Sequence, residues 1–124
     1  MDKGGLKQRT KQYALRVIKL VRALPNNQEG WVLGKQLIRS GTSVGANYRA
    51  ACRARSTAEF VAKLGIVIEE ADESAFWLEL IIESELMKRE LVENLLKETD
   101  EITAIMVSSS NTVKKNNKLK KSEI

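Results

Sequence analysis

WVLGKQLIRSGTSVGANYRAACRARSTAEFVAKLGIVIEEADESAFWLELII, residues Trp31 to Ile82, is two long helical patterns joined by a short basic turn. In the first pattern, at about 100° per residue, Leu33, Leu37, Ile38, Gly41, Val44, Gly45, Tyr48, Ala51 and Cys52 fall on one stripe. Lys35, Arg39, Thr42, Ala46, Arg49 and Arg53 fall on the opposite one. Ser40, Ser43, Asn47 and Ala50 form a small, polar flank between them. Gly34, Gly41 and Gly45 each cost a helix interior roughly 1 kcal/mol relative to alanine, so another backbone is expected to approach closely there. The turn is Arg53-Ala54-Arg55. Ser56-Thr57-Ala58-Glu59 then has the S-x-x-E form of a capping box, which marks a helix start. The second pattern runs to about Glu85, with Phe60, Leu64, Val67, Ala71, Ala75, Leu78 and Ile82 as its main stripe. From Phe76 to Ile82 it is apolar nearly all round, with Glu79 the only charge. A helix of that kind is buried on more than one side, which predicts subunit contacts through Phe76, Trp77 and Leu80.

The flanks read as partners for this hairpin. Residues 1–5 are expected to fray. A helix from about Leu6 to Leu24 carries Leu6, Tyr13, Ala14, Val17, Leu20, Val21 and Leu24 at helical spacing. Lys7, Arg9, Lys11, Arg16, Lys19 and Arg22 cover its remaining arc. Pro25 stops it, because the residue before proline disfavours the α region. A fourth helix from about Lys88 to Thr112 has Leu91, Leu95, Ile102, Ile105, Met106 and Val113 as its stripe, after a break that lacks glycine and proline. The end, KKNNKLKKSEI, has no core-forming pattern and is expected to be disordered. The domain is thus placed at residues 1–113 and a lysine-rich tail at 114–124.

The 124 residues suit one domain with its own core. They include no histidine, which removes the commonest general base and metal ligand. A single cysteine, Cys52, leaves no internal disulfide and fits a reducing cytoplasm. No apolar run approaches membrane-spanning length, and the run MDKGGLKQRTKQ has no apolar segment of a secretory leader. The net charge of +5 conceals a segregation. Residues 1–55 carry +10, residues 56–113 carry −9, and residues 114–124 carry +4.

Two constellations invite a ligand. Glu69, Glu70, Asp72 and Glu73 put carboxylates close together, but di-metal carboxylate bundles use Glu-x-x-His motifs and this chain has no histidine. No metal, cofactor or catalytic residue is expected, and the acids are expected to pair with arginines of the basic half. The basic stripe Lys35, Arg39, Arg49 and Arg53, with Arg55 just beyond, is the other. Its cations repel one another unless something anionic lies near. That anion is either nucleic-acid phosphate or the acidic helices of the protein itself. The first makes the chain an RNA- or DNA-binding module; the second makes it a pure interaction scaffold.

Gln36-Leu37-Ile38-Arg39-Ser40, Ser43-Val44-Gly45-Ala46-Asn47-Tyr48-Arg49-Ala50, Arg53-Ala54-Arg55-Ser56 with Glu59-Phe60, Glu70-Ala71-Asp72-Glu73 and Trp77-Leu78 together resemble the bacterial four helix bundle protein family. Its members are also called 23S rRNA intervening-sequence or S23 proteins. The resemblance covers roughly residues 6–110. It implies an all-α, up-and-down four-helix bundle, a homo-oligomer in the form of a ring-like pentamer, and no catalytic residues. A related branch, the accessory proteins of diversity-generating retroelements, implies nucleic acid and a reverse transcriptase as partners. Where many members have an Ile-Ala-Glu-Gly-like run after the asparagine, this chain has Tyr48-Arg49-Ala50-Ala51.

Overall fold

Asp2 begins the first helix. Its carboxylate accepts a hydrogen bond from the Gly5 amide at 2.6 Å, satisfying one of the donors that a helix N-terminus leaves free. In this computed structural model, which describes residues 2–122 and side chains as far as Lys120, α1 spans Lys3–Arg22, α2 Gln28–Cys52, α3 Thr57–Glu83 and α4 Arg89–Ser122. The cap explains why α1 starts three residues earlier than its apolar stripe suggests, so residues 3–5 are helical and not frayed; Met1 lies outside the described residues. Asn27 caps α2 by accepting from the Gly30 amide at 2.8 Å. Ser56 caps α3 by accepting from the Glu59 amide at 3.1 Å. Glu59 reaches back as the capping box requires, but to the Arg55 amide, one residue before the cap.

The break between α3 and α4 is a Schellman motif. The Leu86 amide donates to the Ile81 carbonyl and the Glu85 amide to the Ile82 carbonyl. Glu85 takes the left-handed position, with φ of 60°, that usually falls to glycine. Holding a Cβ there costs about 1 kcal/mol. We therefore expect Glu85→Gly to raise stability by roughly 0.5–1 kcal/mol in urea denaturation. A loss of stability would contradict this account of the turn.

Each helix packs on the next and α4 returns to α1, while the backbones of the diagonal pairs stay apart. This is the up-and-down four-helix arrangement. Leu6, Tyr13 and Val17 of α1, Leu37, Val44 and Tyr48 of α2, Leu64, Val67, Leu78 and Ile81 of α3, and Val92, Leu95, Ile102 and Met106 of α4 form one core. The α1–α2 contact is the close one. A Cβ at Gly41 would stand 2.8 Å from Val17 Cγ2, and one at Gly45 would stand 3.3 Å from the Thr10 carbonyl oxygen. The expected backbone approach therefore occurs at Gly45, whereas Gly34 and Gly41 are met by side chains.

Two expectations about burial are corrected. Leu91 is 66% exposed, and Val92 takes its place in the core. The buried positions of α4 are 92, 95, 99, 102, 106 and 110, a phase partly hidden because Thr99 and Ser110 are polar. Ser40, read as part of a polar flank, is wholly buried. It belongs to a line of hydroxyls through the bundle's interior. The Ser74 hydroxyl donates to Ser40 Oγ at 2.8 Å. Tyr13 and Thr99 hydroxyls meet at 2.6 Å, and because Thr99 gives its proton to the Leu95 carbonyl at 2.8 Å, Tyr13 is the donor. Burial pushes the Tyr13 phenol above its ordinary range. With these partners made, every member stays satisfied in a place where an unpaired hydroxyl would be costly.

At the lysine-rich end α4 continues as helix across residue 113 to Ser122; residues 123 and 124 lie outside the described residues. Once a helix is nucleated, each further residue adds one hydrogen bond. Lysine is a good helix former and sits well at the negative end of the dipole. The core positions of α4 nevertheless end at Ser110.

Candidate nucleic-acid interface

The basic stripe of α2 does not act as one surface, because the bundle gives its members different neighbours. Arg39 faces α3. Its guanidinium bonds Glu70 at 3.3 Å and also pairs with Glu73, whose carboxylate accepts from the Trp77 indole at 3.3 Å. Glu70 and Glu73 are one turn apart on the same α3 face, so they form a fork for one arginine. The acid cluster is therefore partly consumed in holding α2 to α3, while Glu69 and Asp72 stay exposed. Among the described residues no group of three or more acidic or cysteine side chains converges as a metal site would require.

Arg49 lies in the last turn of α2 and Arg53 is its C-cap, and both turn toward α1. There they meet Lys7 and Lys11, and the four line a groove of about 430 Å³. Its remaining lining is Gly4, Gln8, Ala14, Thr42, Gly45 and Ala46. The arrangement follows from the sequence in two steps. Residues 7 and 11, and residues 49 and 53, are each four apart, so each pair projects from one side of its helix. The glycine at position 45 lets the antiparallel helices come close enough for the pairs to stand across from each other. No carboxylate lines the groove. Among the described residues Lys7, Lys11, Arg49 and Arg53 have no ion-pair partner; the ion pairs found belong to Arg9 and Arg39. Four cations at close quarters raise a positive potential that attracts a polyanion.

The other candidates separate. Lys35 is exposed and stands 14 positions before Arg49, about 21 Å along the helix axis. Arg55 lines a different cavity, at the end of the bundle. Lys7 and Lys11 were hidden in the general basicity of the first helix; their four-residue spacing was the available signal, but only the packing of α1 on α2 makes it meaningful. Of the expected subunit contacts, Phe76 is half exposed and Trp77 and Leu80 are half-buried. Trp77 meets the edge of Phe76 at 5.1 Å between ring centroids. Leu78, Ile81 and Ile82 supply the core side of the same turns.

A second ion-pair centre ties α1 to α4. Arg9 donates to Glu98 at 3.0 and 2.6 Å and to Glu101 at 2.9 Å. Hydrogen bonding from Arg9 holds the Glu98 carboxyl below its ordinary value, against the opposing effect of burial. Because the folded value lies below the unfolded one, this stabilisation is complete above the normal glutamate range and is lost as pH falls through the lowered value. Arg9→Ala should thus destabilise the protein at pH 7 and cost less at about pH 3. Thermal melts of both proteins at the two pH values measure this, and an equal difference at both would refute it.

No helix among the described residues is long and apolar enough to cross a membrane. No functionally curated protein matches the chain. Among solved structures, the chain is similar to the crystal structure of a protein of unknown function from the S23 ribosomal protein family of Bacteroides thetaiotaomicron. The two share 39% identity with a TM-score of 0.83, over 90% of this chain and 99% of that one. The model of the family described as 23S rRNA-intervening sequence protein matches residues 5–108. With its four helices in that fold and most of its length matched, the chain belongs to the 23S rRNA-intervening sequence protein family.

Proposed function

We propose that the protein is a non-enzymatic, oligomeric bundle that holds nucleic acid by its phosphate backbone in the α1–α2 groove. The observation that carries this reading is the convergence of Lys7, Lys11, Arg49 and Arg53 on one groove with no carboxylate in its lining. Cations without internal partners are available to phosphate, and each contact made releases counterions. No aromatic side chain lines the groove. Bases therefore have nothing to stack on, and recognition goes to the backbone with little sequence preference. The lysines of the α4 end add long-range attraction. Binding of unrelated sequences of equal length, followed by fluorescence anisotropy over a salt series, tests the reading. Affinity should fall with a log–log slope of about −3 to −4 for duplex if all four cations engage phosphate. Undetectable binding at low salt, or binding indifferent to salt, overturns it.

A scaffold reading has one observation in its favour: Arg9 and Arg39 are taken up by acids of α4 and α3. The two readings are compatible if the outer face of α3 joins subunits while the groove stays free. Phe76, Trp77 and Leu80 would be buried in that contact, with subunits arranged head to tail in a ring. Phe76→Glu places a charge in the contact and should lower the mass measured in solution by light scattering to that of a smaller species. If the unsubstituted protein is itself a monomer at micromolar concentration, the oligomer proposal fails.

A further inference from the structure

At the end of the bundle where α3 begins, all four helices and the α2–α3 connection line a cavity of about 650 Å³. That is within the range of small-molecule sites and larger than an inorganic phosphate needs. Its charged lining is Lys3 and Arg55, both exposed, and neither forms an ion pair among the described residues. Its apolar wall includes Phe60, over whose ring Lys3 Nζ stands 4.8 Å from the centroid. Ser108 and Ser109, from the Ser-Ser-Ser-Asn run of α4, supply hydroxyls. Tyr48 is 2% exposed and lines the cavity. Burial holds its phenol protonated far above neutral pH, which makes it a donor. The first turn of α3 also lines the cavity at Ser56 and Thr57, and the positive end of a helix favours an anion. Two carboxylates stand nearby, and both already accept a backbone amide: Asp2 from Gly5 and Glu59 from Arg55.

The cavity adjoins the groove. Lys3 and Gly4, and Arg53 and Ala54, are chain neighbours of which one lines each site. A strand lying on Lys7, Arg49 and Arg53 would reach Lys3 and Arg55 at its end. There it would meet α3 and α4, which leaves room for one terminal unit. We propose that this cavity binds a nucleoside phosphomonoester, with the phosphate between Lys3 and Arg55 and the base against Phe60. A phosphomonoester carries between one and two charges near neutral pH, where an internal phosphodiester carries one, so two unpaired cations match it better. Its source is either the phosphorylated end of a strand or a free nucleotide. The strand-end form rests on the nucleic-acid reading above; the free-nucleotide form does not.

The experiment uses the full chain and four probes. They are adenosine 5′-monophosphate, a linear RNA oligonucleotide bearing a 5′-phosphate, its 5′-hydroxyl twin, and a circular RNA of the same sequence. For the strand-end form, the phosphorylated RNA should bind roughly tenfold or more tighter than the other two, the scale of one charge-assisted contact. Arg55→Ala should erase that preference, whereas Lys35→Ala should keep it. For the free-nucleotide form, adenosine 5′-monophosphate should shift the NMR signals of Tyr48, Phe60 and Ser109, without discrimination among the RNAs. If it does so while no RNA binds, the groove reading fails and the cavity stands. If the three RNAs bind equally and the nucleotide shifts nothing, the cavity proposal is overturned and the groove reading stands. Silence of all four probes overturns both.

Discussion

Replacing Lys7, Lys11, Arg49 and Arg53 together by alanine is expected to weaken nucleic-acid binding at least about 1,000-fold at low salt and to flatten its salt dependence by about three to four units of slope. All four side chains are exposed and make no ion pair among the described residues, so the bundle should survive their loss. Lysine, arginine and alanine are all good helix formers, and surface changes of this kind usually move stability by less than about 0.5 kcal/mol. A circular-dichroism melt checks that, and anisotropy across the salt series reads the slope. Arg39→Ala supplies the contrast. It belongs to the same sequence stripe as Arg49 and Arg53, but Glu70 and Glu73 already neutralise it. Its removal should leave the slope nearly unchanged. A quadruple variant that keeps the parent's slope, or an Arg39→Ala variant that loses as much as the quadruple one, would show that the groove is not where phosphate binds.

Gly30→Ala should destabilise the fold by about 3 kcal/mol, although alanine is normally the better helix former by roughly 1 kcal/mol. Gly30 is buried in the first turn of α2. A Cβ there would stand 2.0 Å from the Pro25 carbonyl oxygen, 3.1 Å from its carbon and 3.3 Å from Asn27 Oδ1. The obstacle is backbone, so no rotamer change relieves it. That backbone is also held: the Asn27 amide donates to the Pro25 carbonyl at 3.0 Å, and the Asn27 side chain caps the Gly30 amide. Admitting the methyl group means moving the α1–α2 turn and losing the cap. Gly65 is the matched control, since a Cβ there meets nothing within 4 Å. Gly65→Ala should stabilise by up to about 1 kcal/mol. Urea denaturation of both variants measures the difference, and equal effects would show that the turn yields without cost.

Much of the fold is local and so could be read along the chain. Ser56 followed by Glu59, Pro25 after Leu24, and apolar residues every three or four positions act within one or two helical turns. Two local features had a weaker signature: Asp2 as a cap close to the start, which was misread as a frayed end, and the break after α3, which was expected but whose Schellman turn is carried by Glu85 in place of glycine. Family resemblance supplied the up-and-down order, which periodicity does not contain.

The sites lie at a different level. A helical wheel gives the angle of a residue about its own axis and says nothing of which neighbour stands at that angle. Arg39 and Arg49 share a stripe, but one faces α3 and its acids and the other faces α1 and its lysines. Ser40, Ser74, Tyr13 and Thr99 read as ordinary polar positions on their own helices, and become a buried line only when the helices are assembled. Local chemistry, acting over a few residues, determined where the helices of this protein start, stop and turn their apolar faces. Tertiary packing alone decided which cations are neutralised and which remain open to phosphate, because charge pairing depends on distances between residues far apart in sequence.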